Sequence, residues 1–457
     1  MTPVSRRRVL GAAGAAGLLA ATGGWRAPFR QALAAAGPAG PPDPATAGID
    51  HIVVVMMENR SFDHFLGWLP GANGAQDTVT PRYPDHNGRP QANHHLTVPM
   101  GCGHPDPDHS YQGGRFQLNG GAMDNFARGH NDAYAIGFYT EPDRPFLGAL
   151  ARHFTTCDAY FCSYLGPTWP NRFFMHCAQN DRMRNGPGTA TMPTIWDRLN
   201  HPGGPTGRYY YTDVPFLGLW GGRYRPISHR YDEFKADAAA GRLPNVAYVE
   251  PSFIGAGAGR GNNDHPHCHI AAGDAFLSDV FHTLVNSPGW NRTVLVVTYD
   301  EWGGFYDHVV PPRVTPGIPV GAGPTAAAAS DPDIVGGRVR LGFRVPCIVA
   351  SPFTRSPDPA HPRIDHRLYD HTSILKLIEW RFGLRPLTQR DASTARTDPQ
   401  NLVNLLRPDR PDPSAPPGIP RPASPTAVGC SSAHAATADD TWAPLREMAE
   451  LGGWDLP

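Results

Sequence analysis

The sequence predicts an α/β fold with a mostly parallel central sheet, helices on both of its faces and long loop insertions. Short apolar, β-branched runs typical of buried parallel strands alternate along the chain with helix-like segments. Two stretches rich in Gly, Pro and Ala, at 254–269 and 311–338, show no periodicity and are predicted to be loops. Loops of that length in a compact domain are usually functional or disordered.

The predicted elements alternate in the order that layered α/β folds require. The strands are 52–57, 245–249, 294–298 and 345–350. The helices are 171–178, 195–199, 273–286 and 372–382. The last helix is bounded by Asp370 before it and Gly383 after it, which are typical start and stop signals.

The N-terminal segment 1–36 is predicted to be a twin-arginine signal peptide. SRRRVL at 5–10 precedes a mildly apolar run at 11–23, and small residues at 32–36 offer cleavage sites. A single transmembrane anchor is the alternative, but the run is short of the roughly 20 apolar residues that a span needs. We therefore expect export by the twin-arginine machinery to a secreted, periplasmic or cell-envelope location.

The remaining chain is predicted to comprise a catalytic domain at 48–405, a Pro-rich linker at 406–428 and a short C-terminal tail at 429–457. Forty Lys and Arg against 41 Asp and Glu give a net charge of -1, so no nucleic-acid partner is expected. Seven cysteines leave at least one unpaired, and no C-x-x-C pair indicates structural zinc. Their spacing leaves the disulfide pairing open.

Two predicted strands end in oxygen-rich side chains. The first is followed by Glu58 and Asn59, and the strand near 298 is followed by Asp300 and Glu301. In open α/β sheets the carboxyl ends of the strands line the ligand crevice. Oxygen ligands suit a hard divalent cation, so calcium, magnesium or manganese fits, and zinc stays open. Turn formation or helix capping would explain one such cluster more readily than two.

A third segment, GPTWPNR at 166–172, supplies a hydroxyl. Pro170 is predicted as the first residue of a helix, which places Thr168 just ahead of a helix N-terminus that favours phosphate. A hydroxyl beside a metal loses its proton more easily and can attack phosphorus. Taken alone, Thr168 is more readily explained as a helix cap.

Four segments resemble the bacterial phospholipase C and acid phosphatase family of the alkaline-phosphatase-like superfamily. They are 58–64 (ENRSFDH), 166–172 (GPTWPNR), 298–309 (TYDEWGGFYDHV) and 369–375 (YDHTSIL). The resemblance runs in order from about residue 50 to residue 392. It implies an alkaline-phosphatase-like fold and a metal-dependent phosphoesterase with one divalent ion and a phosphorylated nucleophile, Thr168. The metal ligands that it implies are Glu58, Asn59, Thr168, Asp300 and Glu301.

The resemblance also implies roles for several histidines. His109, in DPDHS at 106–110, and His265, in NDHP at 263–266, match histidines that the family uses at the phosphoryl group. Each can donate a hydrogen bond to phosphate or a proton to the leaving alcohol. His308 and His371 are candidates for orienting the carboxylates, and Arg172 for pairing with a carboxylate or capping the site.

A comparison within the superfamily narrows the chemistry. Sulfatases carry C-x-P-x-R, whose cysteine becomes a formylglycine, whereas this chain has T-x-P-x-R at 168–172. Threonine cannot undergo that conversion, which argues against a sulfatase. Two-zinc phosphatases need a larger set of Asp and His ligands, so one metal is the simpler interpretation.

The substrate is expected to be a phospholipid or another phosphate ester. The family resemblance favours a phospholipase C that releases diacylglycerol and a phosphorylated head group from phosphatidylcholine-like lipids. The alternative is an acid-phosphatase-type phosphomonoesterase, and a non-enzymatic binding protein is disfavoured because all five implied ligands are present. Peripheral contact with a membrane surface would need an exposed apolar rim, for which the candidates are Phe62, Phe65, Leu66, Trp68, Trp302 and Phe305. Large aromatic residues are usually buried, so a place in the core is the alternative for all six.

Overall fold

The computed structural model describes residues 42–322, 331–426, 429–431 and 442–457, so the predicted signal peptide lies outside the described residues. One eight-stranded sheet forms the centre of the fold. Its strands are β1 (His51–Met57), β2 (Thr155–Cys157), β3 (Gly207–Tyr211), β4 (Ser228–Arg230), β5 (Val246–Val249), β6 (Thr293–Tyr299), β7 (Cys347–Ala350) and β8 (Ile364–Asp365).

The order of strands across this sheet is β8-β2-β7-β6-β1-β5-β3-β4. The five neighbours β6, β1, β5, β3 and β4 all run parallel, and β8 runs parallel to β2. The predicted fold class, an α/β protein with a mostly parallel central sheet, is confirmed. Strands β1 and β6 lie at the centre of the parallel part, and every residue of β6 is buried.

The prediction that 345–350 is a parallel strand was wrong. Strand β7 is antiparallel to both β6 and β2. The chain leaves β6 at Tyr299, and Cys347 at the start of β7 pairs with Thr298 near the end of β6. A strand that re-enters the sheet at the end from which the chain left must run backward, because a parallel neighbour requires a crossover to the opposite end.

Nine α-helices accompany the sheet in the described ranges. They are α1 (Phe62–Leu66), α2 (Tyr111–Leu118), α3 (Pro145–His153), α4 (Thr168–Cys177), α5 (Tyr231–Ala239), α6 (Ile270–Val285), α7 (Thr372–Phe382), α8 (Gln389–Ala392) and α9 (Ala443–Leu451). Helix α3 packs against α6, and α4 packs against α7. The predicted helix 372–382 is confirmed, whereas the segment predicted as a helix at 195–199 is a 3₁₀ helix, Ile195–Arg198.

Short elements occupy much of the remaining described chain. The predicted loop 311–338 contributes to a three-stranded sheet of Arg313–Val314, Ile334–Val335 and Arg338–Arg340. Two further pairs join Tyr83–Pro84 to Pro90–Gln91 and His94–His95 to Gly137–Phe138. The other 3₁₀ helices are Pro44–Thr46, Asn119–Gly121, Asn125–Ala127, Ala133–Ile136, Glu141–Asp143, Phe216–Trp220, Arg225–Ile227, Ala256–Ala258, Trp290–Arg292, Pro352–Thr354 and Leu402–Leu405.

A disulfide joins Cys102 to Cys430, across 328 residues of sequence. The other five cysteines are buried thiols. Among the helices of the described ranges, none combines the length and the apolar character that a bilayer span requires.

Candidate active site

The acidic ends of β1 and β6 lie side by side, as the sequence predicted. The two strands pair in register up to Met57 and Tyr299, so Glu58 and Asp300 follow at the same edge of the sheet. The backbone N–H of Asn59 donates to Asp300 Oδ1 at 3.1 Å. Asn59 has a left-handed φ of 59°, which turns the chain across the edge of the sheet.

The side chain of Asn59 faces both carboxylates of the second strand. With its amide nitrogen toward them, it donates to Glu301 Oε1 at 2.8 Å and to Asp300 Oδ1 at 3.2 Å. With its oxygen toward them, three oxygen ligands would face one another, which is the arrangement that a hard cation stabilises. The side chain is therefore placed where it can either bridge the carboxylates or share a cation with them.

The carboxylates of Glu58, Asp300 and Glu301 are all buried at this edge of the sheet, where ionising them together is unfavourable. Burial, reinforced by the Asp300 carboxylate, raises the pKa of Glu58 well above its usual value. Burial raises the pKa of Asp300, although the positive charge of Arg172 lowers it in part. Burial also raises the pKa of Glu301 to about 8, although the positive charge of His109 lowers it in part. Glu58 Oε2 is buried without a hydrogen-bond partner. Additional positive charge at this edge would stabilise the ionised forms of all three.

Two consecutive glycines allow the turn after Glu301 to pack closely on the neighbouring loops of the site. Gly303 and Gly304 have φ values of +63° and +72°, which favour glycine. A Cβ on Gly303 would lie 2.0 Å from the backbone oxygen of Asn59, and one on Gly304 would lie 2.5 Å from the backbone carbon of Pro107. The turn after Glu301 thus packs directly on the Asn59 turn and on the loop that carries His109.

Helix α4 begins at Thr168 itself, with Pro167 preceding it. The predicted start at Pro170 was therefore wrong, and so was the interpretation of Thr168 as a cap that precedes the helix. Pro170 is the third helical residue, where the missing N–H costs no helical hydrogen bond. Thr168 is buried, with 1% of its surface exposed, and the N–H of Trp169 donates to the Asn185 side chain at 2.8 Å.

Arg172 connects helix α4 by hydrogen bonds to the acidic edge, which is the edge of the sheet that carries Glu58, Asn59, Asp300 and Glu301. It lies one turn after Thr168, so both side chains share a face of the helix. Its Nε donates to Asp300 Oδ2 at 3.0 Å, and another guanidinium nitrogen donates to Glu250 Oε1 at 3.1 Å. It also donates to the carbonyls of Met56 and Met57 at the end of β1. The face of α4 that carries Thr168 is thereby directed toward the ends of β1 and β6.

The structure brings His109 and His265 together beside this edge. Their ring centroids are 6.4 Å apart, and His109 Nε2 lies 3.9 Å from Glu301 Oε1. Burial lowers the pKa of His109, but the Glu301 and Asp106 carboxylates outweigh it and raise the pKa to about 9. His265 Nε2 lies 3.2 Å from Asp106 Oδ2. Each histidine is therefore placed beside a carboxylate, and the carboxylates around His109 favour its protonated form.

The segment around His265 is held by Arg60 of the first motif. Arg60 is fully buried, and its guanidinium donates to the carbonyls of Asp264 and His265 at 2.6 Å and 3.1 Å. Its backbone N–H donates to the carbonyl of Glu301 at 3.0 Å. One arginine thus links three of the segments that the sequence singled out.

His371 and His308 occupy different environments. His371 Nε2 lies 2.7 Å from the carbonyl oxygen of Asp300, and burial lowers the pKa of this histidine to about 4, so the neutral ring donates there. His308 Nδ1 lies 2.6 Å from Asp63 Oδ2, in a cluster with Asp307 and the Arg344 guanidinium. His371 thus contacts a predicted ligand residue, whereas His308 belongs to a charged cluster at helix α1.

Sequence reasoning passed over Asp106, His267 and Trp442. Ligand atoms of Asp106, His265 and His267 lie within 4.8 Å of one another, and so do those of Asp63, Asp307 and His308. In the described chain, the carboxylates of Glu58, Asp300 and Glu301 are not gathered as tightly. Asp106 and His267 could have been found beside the histidine motifs, whereas Trp442, whose Nε1 donates to Glu58 Oε1 at 3.1 Å, has no local signal.

The candidates for an apolar rim are mostly core residues, which is the alternative that the sequence left open. Five of its six members are at most 1% exposed and belong to the core, namely Phe62, Phe65, Leu66, Trp302 and Phe305. Trp68 is partly buried against the same core. These side chains therefore contribute to the hydrophobic core and not to an exposed surface.

Known proteins share much of this chain. Residues 49–213 and 221–385 match the profile of the Phosphoesterase family. "Phospholipase C B" of Mycobacterium tuberculosis is 33% identical over 449 residues, covering 83% of this chain and 81% of that protein. "Non-specific phospholipase C1" of Arabidopsis thaliana is 34% identical over 386 residues, covering 75% of this chain and 69% of that protein.

Among solved structures, a protein of the alkaline phosphatase superfamily from Vibrio parahaemolyticus covers 78% of this chain and 70% of its own, with 10% identity and a TM-score of 0.34. So slight a likeness supports no inference about the site.

Proposed function

The chain belongs to the phosphoesterase family and is a phosphoric ester hydrolase, and we propose that it is an exported, metal-dependent phospholipase C that acts through Thr168. One observation carries the proposal. Arg172, on the helix that begins with Thr168, donates to the Asp300 carboxylate after β6 and to the carbonyls of Met56 and Met57 at the end of β1. The names of the relatives support a phospholipid as the substrate, and phosphatidylcholine-like lipids are the substrates that we propose.

The residues at the acidic edge fit one divalent cation. Glu58 Oε2 is buried without a hydrogen-bond partner, and the pKa values of Glu58, Asp300 and Glu301 are all raised, a shift that a bound cation would reverse. Glu58, Asn59, Asp300, Glu301 and Thr168 would hold it, whether it is calcium, magnesium, manganese or zinc. When bound, such an ion neutralises phosphoryl oxygens and lowers the pKa of a coordinated hydroxyl.

In the first step, the Thr168 oxygen forms a bond to phosphorus while the bond from phosphorus to the glycerol oxygen breaks. The hydroxyl proton of Thr168 passes to a neighbouring carboxylate or to solvent. The departing diacylglycerol oxygen takes a proton from His109 or His265, which are placed beside Glu301 and Asp106. The enzyme is left with the phosphorylated head group esterified to Thr168.

In the second step, water attacks the same phosphorus and the bond to Thr168 breaks. The histidine that gave its proton takes one from this water, and Thr168 regains its own. The products are diacylglycerol and a phosphorylated head group such as phosphocholine. His109, whose pKa is raised by the Glu301 and Asp106 carboxylates, can donate a hydrogen bond to a phosphoryl oxygen in both steps.

The covalent intermediate tests this proposal. The enzyme is mixed with phosphatidylcholine, quenched in acid and digested, and the mass of the peptide that contains Thr168 is measured. We expect a mass increase of one phosphocholine group on Thr168. Thr168→Ala should lower turnover by about a thousandfold or more, since nucleophile removal has that scale of effect. Metal content of this variant should stay near that of the wild type, because the other four proposed ligands remain.

Thr194→Ala is a matched control, because Thr194 is also fully buried at the start of a helical segment, Ile195–Arg198. It should keep its activity. Turnover of Thr168→Ala within about tenfold of the wild type would contradict the nucleophile assignment. A panel of phosphatidylcholine, p-nitrophenyl phosphorylcholine and p-nitrophenyl phosphate identifies the substrate class. Hydrolysis of the monoester alone would instead assign an acid-phosphatase-type phosphomonoesterase.

Export by the twin-arginine route and peripheral contact with a lipid surface complete the proposal. The arginine pair near the start of the sequence motivates the first, and the names of the relatives motivate the second. Fractionation of cells that express the full chain checks the location, and enzyme found only in the cytoplasm would contradict export.

A further inference from the structure

The C-terminal segment 442–457 packs against the catalytic domain through helix α9. This helix contacts the 3₁₀ helix Phe216–Trp220, and its Leu445 and Ala449 are fully buried. Near the end of the chain, the indole Nε1 of Trp454 donates to the carbonyl of Gly221 at 2.9 Å. The segment is therefore an integral part of the core and carries two buried indoles.

The other indole, Trp442, reaches the acidic edge of the sheet. Trp442 precedes α9 and is 2% exposed. Its Nε1 donates to Glu58 Oε1 at 3.1 Å, a contact between residues 384 positions apart. Its ring stacks on Phe253, with centroids 4.0 Å apart and planes at 19°.

The same indole adjoins the arginine that binds Asp300. The Arg172 guanidinium carbon lies 5.4 Å from the Trp442 ring centroid and 4.5 Å from that of Phe253. Arg172 donates in turn to Asp300 Oδ2. Trp442 thus touches Glu58 directly and supports the side chain that positions Asp300.

The hydrogen bond leaves Glu58 with two unlike oxygens. Oε1 accepts from the indole, whereas Oε2 is buried and has no hydrogen-bond partner. An indole N–H is a donor only, and it brings no charge that would compete with a cation. It therefore fixes the rotation of the carboxylate while leaving Oε2 available as a ligand.

We propose that Trp442 is a positioning residue that holds Glu58 in the orientation in which Oε2 binds the divalent cation. The C-terminal segment, far outside the four sequence motifs, thereby completes the metal site. The inference rests on the proposed role of Glu58 as a ligand. Partners that orient a metal ligand typically contribute tenfold to a hundredfold in metal affinity.

The experiment compares two indoles of the same segment. Trp442→Phe keeps an aromatic ring against Phe253 and removes the N–H, and Trp454→Phe removes the N–H that Gly221 accepts. Full-length protein is stripped with chelator, and the Kd for Mn²⁺ is measured by titration calorimetry, with melting temperatures recorded alongside. We expect Trp442→Phe to raise this Kd by about tenfold or more and Trp454→Phe to leave it within about twofold.

Glu58→Gln separates failure of this inference from failure of the proposed function. If Glu58→Gln weakens Mn²⁺ binding and Trp442→Phe does not, the role of Trp442 is overturned and the metal site stands. If both tryptophan variants weaken Mn²⁺ binding equally, the cause is general destabilisation of the C-terminal segment, and the inference is also overturned. If Glu58→Gln binds Mn²⁺ like the wild type, the ligand role of Glu58 fails, and the inference with it.

Should Trp442→Phe fold poorly, benzothienylalanine at position 442 provides the same comparison. Its sulfur replaces the indole N–H at nearly constant ring size. The expected rise in Kd is the same, and an unchanged Kd would overturn the inference.

Discussion

At the scale of single residues, buried arginines hold the site together. Arg172 donates to Asp300, Glu250 and the end of β1, and Arg60 donates to the carbonyls of Asp264 and His265. Buried guanidinium groups are stable only where several acceptors surround them, so each arginine fixes the segments that it joins. The groups that we propose to react are thus positioned by arginines that have no part in the proposed bond making.

The roles of His109 and His265 can be separated by the leaving group. A diacylglycerol oxygen needs a proton to depart, whereas p-nitrophenolate leaves without one. We expect His265→Asn to slow phosphatidylcholine hydrolysis by about a hundredfold or more, and p-nitrophenyl phosphorylcholine hydrolysis by less than about tenfold. The reason is that His109 lies against Glu301, where phosphoryl oxygens would be held, which leaves His265 for the departing oxygen.

His109→Asn should slow both substrates equally, because phosphoryl contact does not depend on the leaving group. His361→Asn, at a histidine whose side chain is 87% exposed, serves as the control. Steady-state rates on the two substrates give the comparison. A uniform loss in His265→Asn would show that this histidine is not the acid.

At the scale of elements, the turn after β6 sets how closely the loops that carry Asn59 and His109 pack on it. Gly303 packs on the Asn59 turn, and Gly304 packs on the loop of His109. The positive φ values and the contacts under 3 Å leave no room for a side chain at either position. The elements of the site therefore depend on one glycine pair for their spacing.

We expect Gly303→Ala to weaken metal binding and Gly304→Ala to retain metal while losing about a hundredfold in turnover, the effect of small misplacement of a catalytic group. Metal content and turnover are measured on the same preparations. Gly383→Ala is the matched control, since Gly383 also has a φ of +63° and a Cβ at that position would meet no atom within 4 Å. If all three variants behaved alike, backbone strain would account for the losses and the packing argument would fail.

At the scale of the whole molecule, the buried carboxylates link stability to pH and, through the proposed cation, to metal. The pKa of Glu301 is about 8 in the folded protein against an ordinary 4.5, and that of His109 is about 9 against 6.5. Both pKa values are raised in the folded protein. At any pH between the ordinary pKa of a group and its folded-state pKa, the metal-free folded state therefore binds more protons than the unfolded state. Stability from these groups is therefore lost as the pH rises.

The metal-free protein should consequently lose stability between about pH 6.5 and pH 8, and divalent metal should raise the melting temperature more at pH 8 than at pH 6.5. Melting in chelator and in Mn²⁺ across this range measures both effects. Buried His371 has a pKa lowered to about 4, so it changes the stability mainly at pH values below this range. A metal effect that shrinks as the pH rises would contradict the carboxylate site.

Much of the architecture follows from local sequence. The apolar runs that became β1, β5 and β6 were identified within a residue or two at each end, because strands buried on both faces must be continuously apolar. The direction of β7 was not identified, since it depends on which end of the sheet the chain re-enters. Whether the apolar residues after β1 and β6 are exposed or buried was left open, because their burial depends on loops that pack from elsewhere in the chain.

The sequence by itself determined the mostly parallel sheet, the two acidic strand ends and the segment of Thr168, because each is a contiguous run whose chemistry is visible in a few residues. Tertiary structure alone decided that Arg172 binds Asp300, that Cys102 joins Cys430 and that Trp442 binds Glu58. These contacts span 128, 328 and 384 positions, and a fold brings such residues together through packing that no local pattern encodes.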